Sequence, residues 1–464
     1  MSSKIQDSTW DNQAFNLTTK FSDPNLAEFD YSMWSIVKLL SEEDKDYCIK
    51  KFRFSEETVD ALIAAQDSDL ELLTSGEILS FTVKNDEKEI IKILEEPCAN
   101  DIILKRIQGS SKPTDYQYWN LAKLFAERAE NDEQNLYDVS LQFGLSLDVL
   151  KALRQCTGNQ IFCLAEKLDT IMGIRFDESL IHRILKVDVK NNINILTMLK
   201  YQQTISSAIG LNSGRDMVYS NSNLLTLKQF SDTDNNNRLS KHSLVRTLLA
   251  RYLLIAGAAV NIVQIETGFT QKNIYRLRGI IQDDGLKIIN NRSKSQMSSV
   301  SIITNINKSI QASLLMALYY FHSESYENIP ITQNLNLIPL LRAYRTYHQI
   351  MNVTEFYKTD TGKEKISPIN FSECWTLARE LRSNEACILK SDKFNCYYFC
   401  TEHQKVSRHC PYDSPAVAIK SAEPPKKAVS INYLQDEFGD FDVPNLAPDN
   451  EFLKHNTNHK YQSH

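Results

Sequence analysis

Glycine and proline are scarce in this chain, at 13 and 12 of its 464 residues. A turn-rich β architecture needs both at its corners, so their scarcity favours helices. Long apolar runs are lacking too. The most apolar stretch, LLARYLLIAGAAVNIV at 248–263, is too short for a bilayer and carries Arg251. It reads as one buried helix, and no membrane partner is expected. The opening residues MSSKIQDSTWDNQ hold no apolar signal core. The expectation is therefore a cytoplasmic protein whose nine cysteines are reduced thiols or metal ligands, not a disulfide framework. A Gly-rich phosphate loop, GxSxG and HExxH are all missing, and no enzyme is expected.

What is present is uneven. The net charge is −6, yet residues 241–410 carry 21 Lys+Arg against 13 Asp+Glu, or +8, which leaves −14 elsewhere. A basic block in an acidic chain suits a phosphate-binding surface, and equally an ordinary solvated one. The acidic part contains a repeat. Phe52–Leu94 laid over Phe143–Leu185 at a constant offset of 91 gives ten identities in 43 positions, among them Phe52/Phe143, Ser55/Ser146, Asp86/Asp177 and Glu87/Glu178. Aromatic helix starts, DYSMWSIVKLL and DYQYWNLAKLF, precede the two copies.

Local chemistry agrees between the copies. Ser55 and Ser146 each read as N-caps ahead of apolar residues at helical spacing. ILSFTVKNDEKEIIKIL and IMGIRFDESLIHRIL each read as a short strand, an Asp cap and a helix. The spacing predicts that NNINILTMLKYQQTISSAI continues as helix, and that a polar linker and a third unit starting near 241 come after it. His182 and Cys163 read as packing residues, and Asp283–Asp284 beside Gly285 as a turn. Beyond 413 the chain turns Pro-containing and largely acidic, the composition of a disordered tail.

The stretch IETGFTQKNIYRLRG at 265–279 has the form of a helix, a Gly-centred turn and a basic helix. With Gly268 at the turn, Val263, Phe269, Ile274 and Leu277 fall on positions that must pack, and Thr270 becomes the cap of the second helix. Gln271, Lys272, Asn273, Arg276 and Arg278 then point outward, with the right chemistry for phosphates and base edges. Gln264 occupies a close-contact position that is usually small. A plain corner between core helices fits the same fifteen residues. Further on, Cys396, Cys400 and Cys410 lie within fifteen residues. Zinc takes four ligands in a tetrahedron, so a fourth would come from His403, His409 or Asp413. The alternative is a small thiol-containing core that holds without metal.

The third unit, over roughly 240 to 413, resembles FlhC, a subunit of the bacterial flagellar master regulator. LLIAGAAVNIVQIETGFTQKNIYRLRG, INKSIQASLLM, LIPLLRAYRTYHQI, INFSECWTLARELR and FNCYYFCTEHQKVSRHCPYD carry the likeness, in the family's order. The front repeats resemble FlhD, its partner subunit, best in ALRQCTGNQIFCLAEKLDTIMGIRFDESL. The resemblance implies a mainly α protein: extension 1–29, FlhD-like repeats at 30–112 and 113–210, linker 211–240, FlhC-like module 241–413 with a zinc knuckle at 396–413, and disordered tail 414–464. It implies double-stranded DNA and RNA polymerase as partners, activation of flagellar or conjugative-transfer genes, and one structural Zn²⁺ per chain. A homodimer is expected, with four FlhD-like and two FlhC-like modules. Thr270, Gln271, Lys272, Asn273, Arg276, Arg278, Arg292 and Lys294 are the expected DNA contacts. The family's zinc pattern is CxxC followed by CxxC. This sequence departs from it twice, with three residues between Cys396 and Cys400 and with Asp413 in place of the last cysteine. Those departures and Gln264 leave room for another reading, in which the chain co-assembles with a host's separate FlhD or FlhC subunits and diverts them.

Overall fold

Capping residues set where the helices of both repeats begin. In the computed structural model, the first repeat runs α1 (Pro24–Glu43), α2 (Lys45–Phe52), α3 (Glu56–Ala64), α4 (Asp67–Leu73), β1 (Phe81–Val83) and α5 (Glu87–Glu95). The second runs α6 (Pro113–Arg128), α7 (Glu133–Phe143), α8 (Leu147–Gln155), α9 (Gly158–Lys167), β2 (Met172–Ile174) and α10 (Ser179–Leu185). The structure describes residues 24–98, 109–129, 133–185, 190–211, 238–285, 298–323, 337–354, 367–401 and 409–413, except 75, 77, 286–287 and 384, and also 102, 106, 288 and 335. Ser55 accepts from the Thr58 amide and Ser146 from the Val149 amide, so α3 and α8 start at equivalent caps. Asp86 caps α5 through the Lys88 amide, and Asp177 accepts from the Ser179 amide at 2.8 Å.

The two copies are built around each other. β1 and β2 pair antiparallel with Thr82 opposite Gly173, which are themselves equivalent at the offset of 91. A pseudo-two-fold axis therefore passes through that pair. The Arg175 amide donates to Ser80 O at 3.0 Å, and its counterpart, the Lys84 amide, donates to Ile171 O at 2.8 Å. Beyond the strands the copies exchange arms. α5 of the first lies on α8 and α9 of the second, while α10 of the second lies on α3 and α4 of the first. Glu178 on the second repeat accepts from the Ser55 hydroxyl at 2.6 Å, and Glu87 on the first accepts from the Ser146 hydroxyl at 2.7 Å. A Cβ at Gly173 would meet Lys84 Cε at 2.7 Å and Cγ at 2.9 Å, so a larger residue there requires the Lys84 side chain to shift. Beneath the strands, the buried Trp34 sits 4.6 Å from Phe81, and Trp119 and Tyr118 are buried in the second copy. Each aromatic or Leu side chain so buried stabilises by about 1.5–3 kcal/mol.

α11 (Lys190–Leu211) joins the repeats to the third segment of the chain. Lys200 is buried and donates to Leu73 O at 2.7 Å and Thr74 O at 2.8 Å, fixing α11 to the first repeat. Burial pushes its amine down to about 8 against the pull of Asp30. Three residues on, Gln203 donates to Phe394 O at 2.7 Å, and the Tyr397 amide donates to Ser206 Oγ at 3.0 Å. The described residues thus form one compact unit, in which the third segment packs on the repeats. The linker at 212–237 and the tail from 414 lie outside the described residues.

The third segment comprises α12 (Arg238–Ile255), α13 (Val260–Thr267), α14 (Gln271–Asp283), α15 (Ser299–Ile302), α16 (Ile306–Ser323), α17 (Leu337–Thr354), α18 (Phe371–Arg382) and a hairpin of β3 (Ala386–Ser391) with β4 (Cys396–Thr401). A 3₁₀ turn spans Pro411–Asp413. The chain is mainly α, and the described residues hold two sheets of two strands each. One expectation is corrected. The stretch 248–263 is not a single helix, because α12 stops at Ile255 and the chain turns through Gly257 at φ +85° before α13 begins. Apolar residues on both sides of that turn are buried, which is why no polar break marks it.

Candidate nucleic-acid interface

Gly268 ends α13 in the left-handed conformation, at φ +68° and ψ +14°, and its amide donates to Gln264 O at 2.8 Å. That backbone geometry disfavours any residue with a Cβ. Thr270 follows as the cap of α14, its hydroxyl accepting from the Asn273 amide at 3.4 Å. Val263, Ile274 and Leu277 are buried between the two helices, and Phe269 is half-buried. α12 packs on both, so the corner is a three-helix arrangement. Two contacts seat it on the rest of the segment. Trp375 Nε1 donates to the buried Glu266 at 2.7 Å, and the Ala259 amide donates to Ser372 Oγ at 3.0 Å. At the far end of α14, Arg251 pairs with Asp284 at 2.9 Å, beside the turn at Gly285. The pairing offsets an acid that a helix C-terminus disfavours.

The outward face of α14 carries Gln271, Lys272, Asn273, Tyr275 and Arg276, all exposed. The helix holds no acid before Asp283. Thr270 is also exposed, although its hydroxyl is committed to the cap. Arg278 was expected to point outward with these residues, but it is half-buried, because it follows Leu277 around toward the packed side. Arg292 and Lys294 lie outside the described residues. Sequence reasoning missed Tyr275, which is 53% exposed and accepts from Gln271 Nε2 at 3.3 Å. The i, i+4 spacing of those two residues was the available clue. Ile265 and Ile280 are exposed on the same corner, at 61% and 46%.

The first two cysteines of the segment stand on a hairpin strand, and residues 402–408 between them and Cys410 lie outside the described residues. Cys396 and Cys400 both stand on β4, four residues apart, and Cys400 faces Cys387 across the register. Four residues of strand cover roughly 13 Å, whereas thiolates that share one zinc lie about 4 Å apart. The expected set Cys396, Cys400 and Cys410 therefore cannot close on one ion while β4 is formed. Cys396 and Cys410 do meet. A hydrogen bond between the two sulfurs pushes the Cys396 thiol up and holds Cys410 below the ordinary thiol range. Asp413 is paired with Lys393, so its carboxylate is engaged. His409 is exposed, and His403 lies outside the described residues. Among the described residues no three potential metal ligands cluster. The aromatics Tyr397, Tyr398 and Phe399 are strand residues, with Tyr397 against Tyr320 and Phe399 buried. Comparison of the chain with models of protein families, with curated proteins and with solved structures finds no match in any of the three.

Proposed function

We propose that this chain is a DNA-binding transcriptional activator of the FlhDC type, acting in the cytoplasm on flagellar or conjugative-transfer promoters through RNA polymerase. The observation that carries the reading is the corner at Gly268. A left-handed glycine, a capped second helix, and a face of Gln271, Lys272, Asn273 and Arg276 without acids support the reading, because helix-turn-helix proteins present their second helix to the major groove from such a corner. Lys272 and Arg276 neutralise phosphates, while Gln271 and Asn273 offer paired donors and acceptors to base edges. Two paired FlhD-like repeats per FlhC-like unit give the family's two-to-one ratio in one polypeptide. A homodimer presents two such corners to spaced half-sites. Zinc remains part of the proposal, anchored by Cys396 and Cys410, with His403 or His409 among the remaining ligands.

Salt-dependent DNA binding tests the reading. Lys272→Ala and Arg276→Ala each lower affinity and reduce the log–log salt slope by roughly 0.9. Gln271→Ala and Asn273→Ala instead relax sequence preference. Parent-like binding by all four variants would make the corner a structural one. The exposed Ile265, Tyr275 and Ile280 favour a second reading, an interaction module that co-assembles with separate FlhD- or FlhC-type subunits. On that reading the purified chain shows no salt-dependent DNA binding, and Ile265→Glu abolishes capture of those subunits.

A further inference from the structure

We propose that Cys98 and Cys163 form a reversible disulfide that ties the first repeat to the second when the chain meets hydrogen peroxide. Their sulfurs lie 2.7 Å apart. That is closer than two thiols at van der Waals contact, and about 0.7 Å from the length of a covalent S–S bond. The two residues are 65 positions apart and belong to different repeats, so chain connectivity does not force them together. Cys163 on α9 is 1% exposed, while Cys98, just past α5, is only half-buried. Cys98 is thus the more accessible partner of the pair.

The surroundings hold the pair in place. Gln160 Nε2 donates to Leu94 O at 2.6 Å, and Lys167 Nζ lies 3.5 Å from Glu96. Gln160, Cys163 and Lys167 recur at i, i+3 and i+7, so they share one stripe of α9. The chain leaving α5 is fastened to that stripe beside the thiols, which leaves the sulfurs only a fraction of an ångström to close. The bridge locks the exchange of arms between the repeats where α5 already packs on α9. It belongs neither to the α14 face nor to the Cys396–Cys410 segment.

The chemistry balances with peroxide as oxidant. Cys98, as thiolate, attacks one peroxide oxygen; the S–O bond forms, the O–O bond breaks, and hydroxide leaves as water once protonated. Cys163 then attacks the sulfenic sulfur of Cys98. The S–S bond forms, the S–O bond breaks, and a second water departs with the Cys163 proton. Two thiols have given up two electrons, and one peroxide has become two waters. A low-molecular-weight thiol reverses the step by exchange.

The test treats the reduced full-length chain with one equivalent of hydrogen peroxide, alkylates it, and maps its peptides without reduction. The expected product is an intramolecular Cys98–Cys163 link, with two hydrogens lost from the intact mass and both restored by dithiothreitol. Maleimide labelling of Cys98 falls at least tenfold, while that of the exposed Cys387 does not. Cys98→Ser keeps the parent's circular dichroism and loses the link; if that variant is unfolded, Cys98→Ala and the parent's own peptide map decide. Recovery of Cys98 and Cys163 as free alkylated thiols overturns the proposal. So does a bridge between other cysteines or between chains, or Cys98 halted as a sulfinic acid.

Discussion

Acidification probes how the second repeat is held to the third segment. His322 on α16 is 4% exposed and lies 3.8 Å from Asp138 on α7. Arg342 on α17 pairs with the same carboxylate at 2.7 Å and donates to Asn135 at 3.0 Å, and Arg345 approaches Asp138 at 3.9 Å. Burial pushes the His322 imidazole down to about 4, overriding Asp138, and the two arginines push in the same direction. His348, on α17, is likewise pushed down to about 4 by burial. An unfolded histidine takes its proton near pH 6.5. Between the two values the unfolded chain binds protons that the folded chain refuses, so stability falls as pH falls. The contribution is complete above about pH 6.5 and is lost by about pH 4, at roughly 1.4 kcal/mol per unit. His322 alone accounts for about 3 kcal/mol over that window, and His348, which is partly exposed, for somewhat less. For Asp138, burial acts upward, but Arg342, Arg345 and His322 together hold the carboxyl below its usual range. Its contribution is present above the ordinary Asp value near 3.9 and is lost only at lower pH, as its folded value is crossed. Urea unfolding followed by circular dichroism at several pH values from 7.5 to 4.5 should show stability draining by several kcal/mol, a large share of the about 5–15 kcal/mol typical of a domain. His322→Gln should remove about half of the slope between roughly pH 6.5 and 5. A flat stability between pH 7 and 5, or a His322→Gln slope equal to the parent's, would refute the reasoning.

Gly268→Val should destabilise by about 1–2 kcal/mol through backbone conformation alone, since nothing lies within 4 Å of its missing Cβ; an unchanged thermal midpoint would contradict this. Gly279, inside α14 with open space around it, predicts the reverse: Gly279→Ala should stabilise by about 0.5–1 kcal/mol, read as a higher urea midpoint at constant m-value. For the metal, elemental analysis of reduced protein should find one zinc per chain. Cys396→Ser with Cys410→Ser should release it and loosen the hairpin, because structural zinc contributes folding free energy on the order of 10 kcal/mol; less than about a tenth of an equivalent in the parent rules the site out.

Short-range chemistry was the legible part of this fold. Ser55, Ser146 and Asp86 cap because the hydroxyl or carboxylate reaches an amide two or three residues on, and a sequence displays that spacing directly. Gly268 and Thr270 were legible for the same reason. Glu87 and Glu178 stood out only as an identity between the copies, yet each serves a serine of the opposite repeat. The offset of 91 revealed two copies but not which copy each arm covers, since apolar faces of equal pattern fit either partner. Arg342 and Asp138, 204 residues apart, carry no local mark of their pairing. The secondary structure around the cysteines was less legible. A gap of three suits a loop that clasps metal, whereas the intervening Tyr397, Tyr398 and Phe399 have strong strand preference, and that preference prevailed.

The order repeat, repeat, third segment acquires a physical meaning from α11. This helix follows the second repeat in sequence, yet its Lys200 is buried against carbonyls that close α4 of the first. One turn further along, Gln203 and Ser206 hold the backbone of Phe394 and Tyr397 at the β3–β4 hairpin. The hairpin is therefore registered against the paired repeats by residues that precede the segment 212–237, and that segment need not set the docking. Arg342 repeats the logic from the other side, reaching back from α17 to Asp138 and Asn135 on the second repeat. With one anchor running through each repeat, the third segment reads the pair as a unit. A single repeat offers only half of its seat, so the covalent joining of two repeats ahead of one helix-corner segment follows from the packing itself.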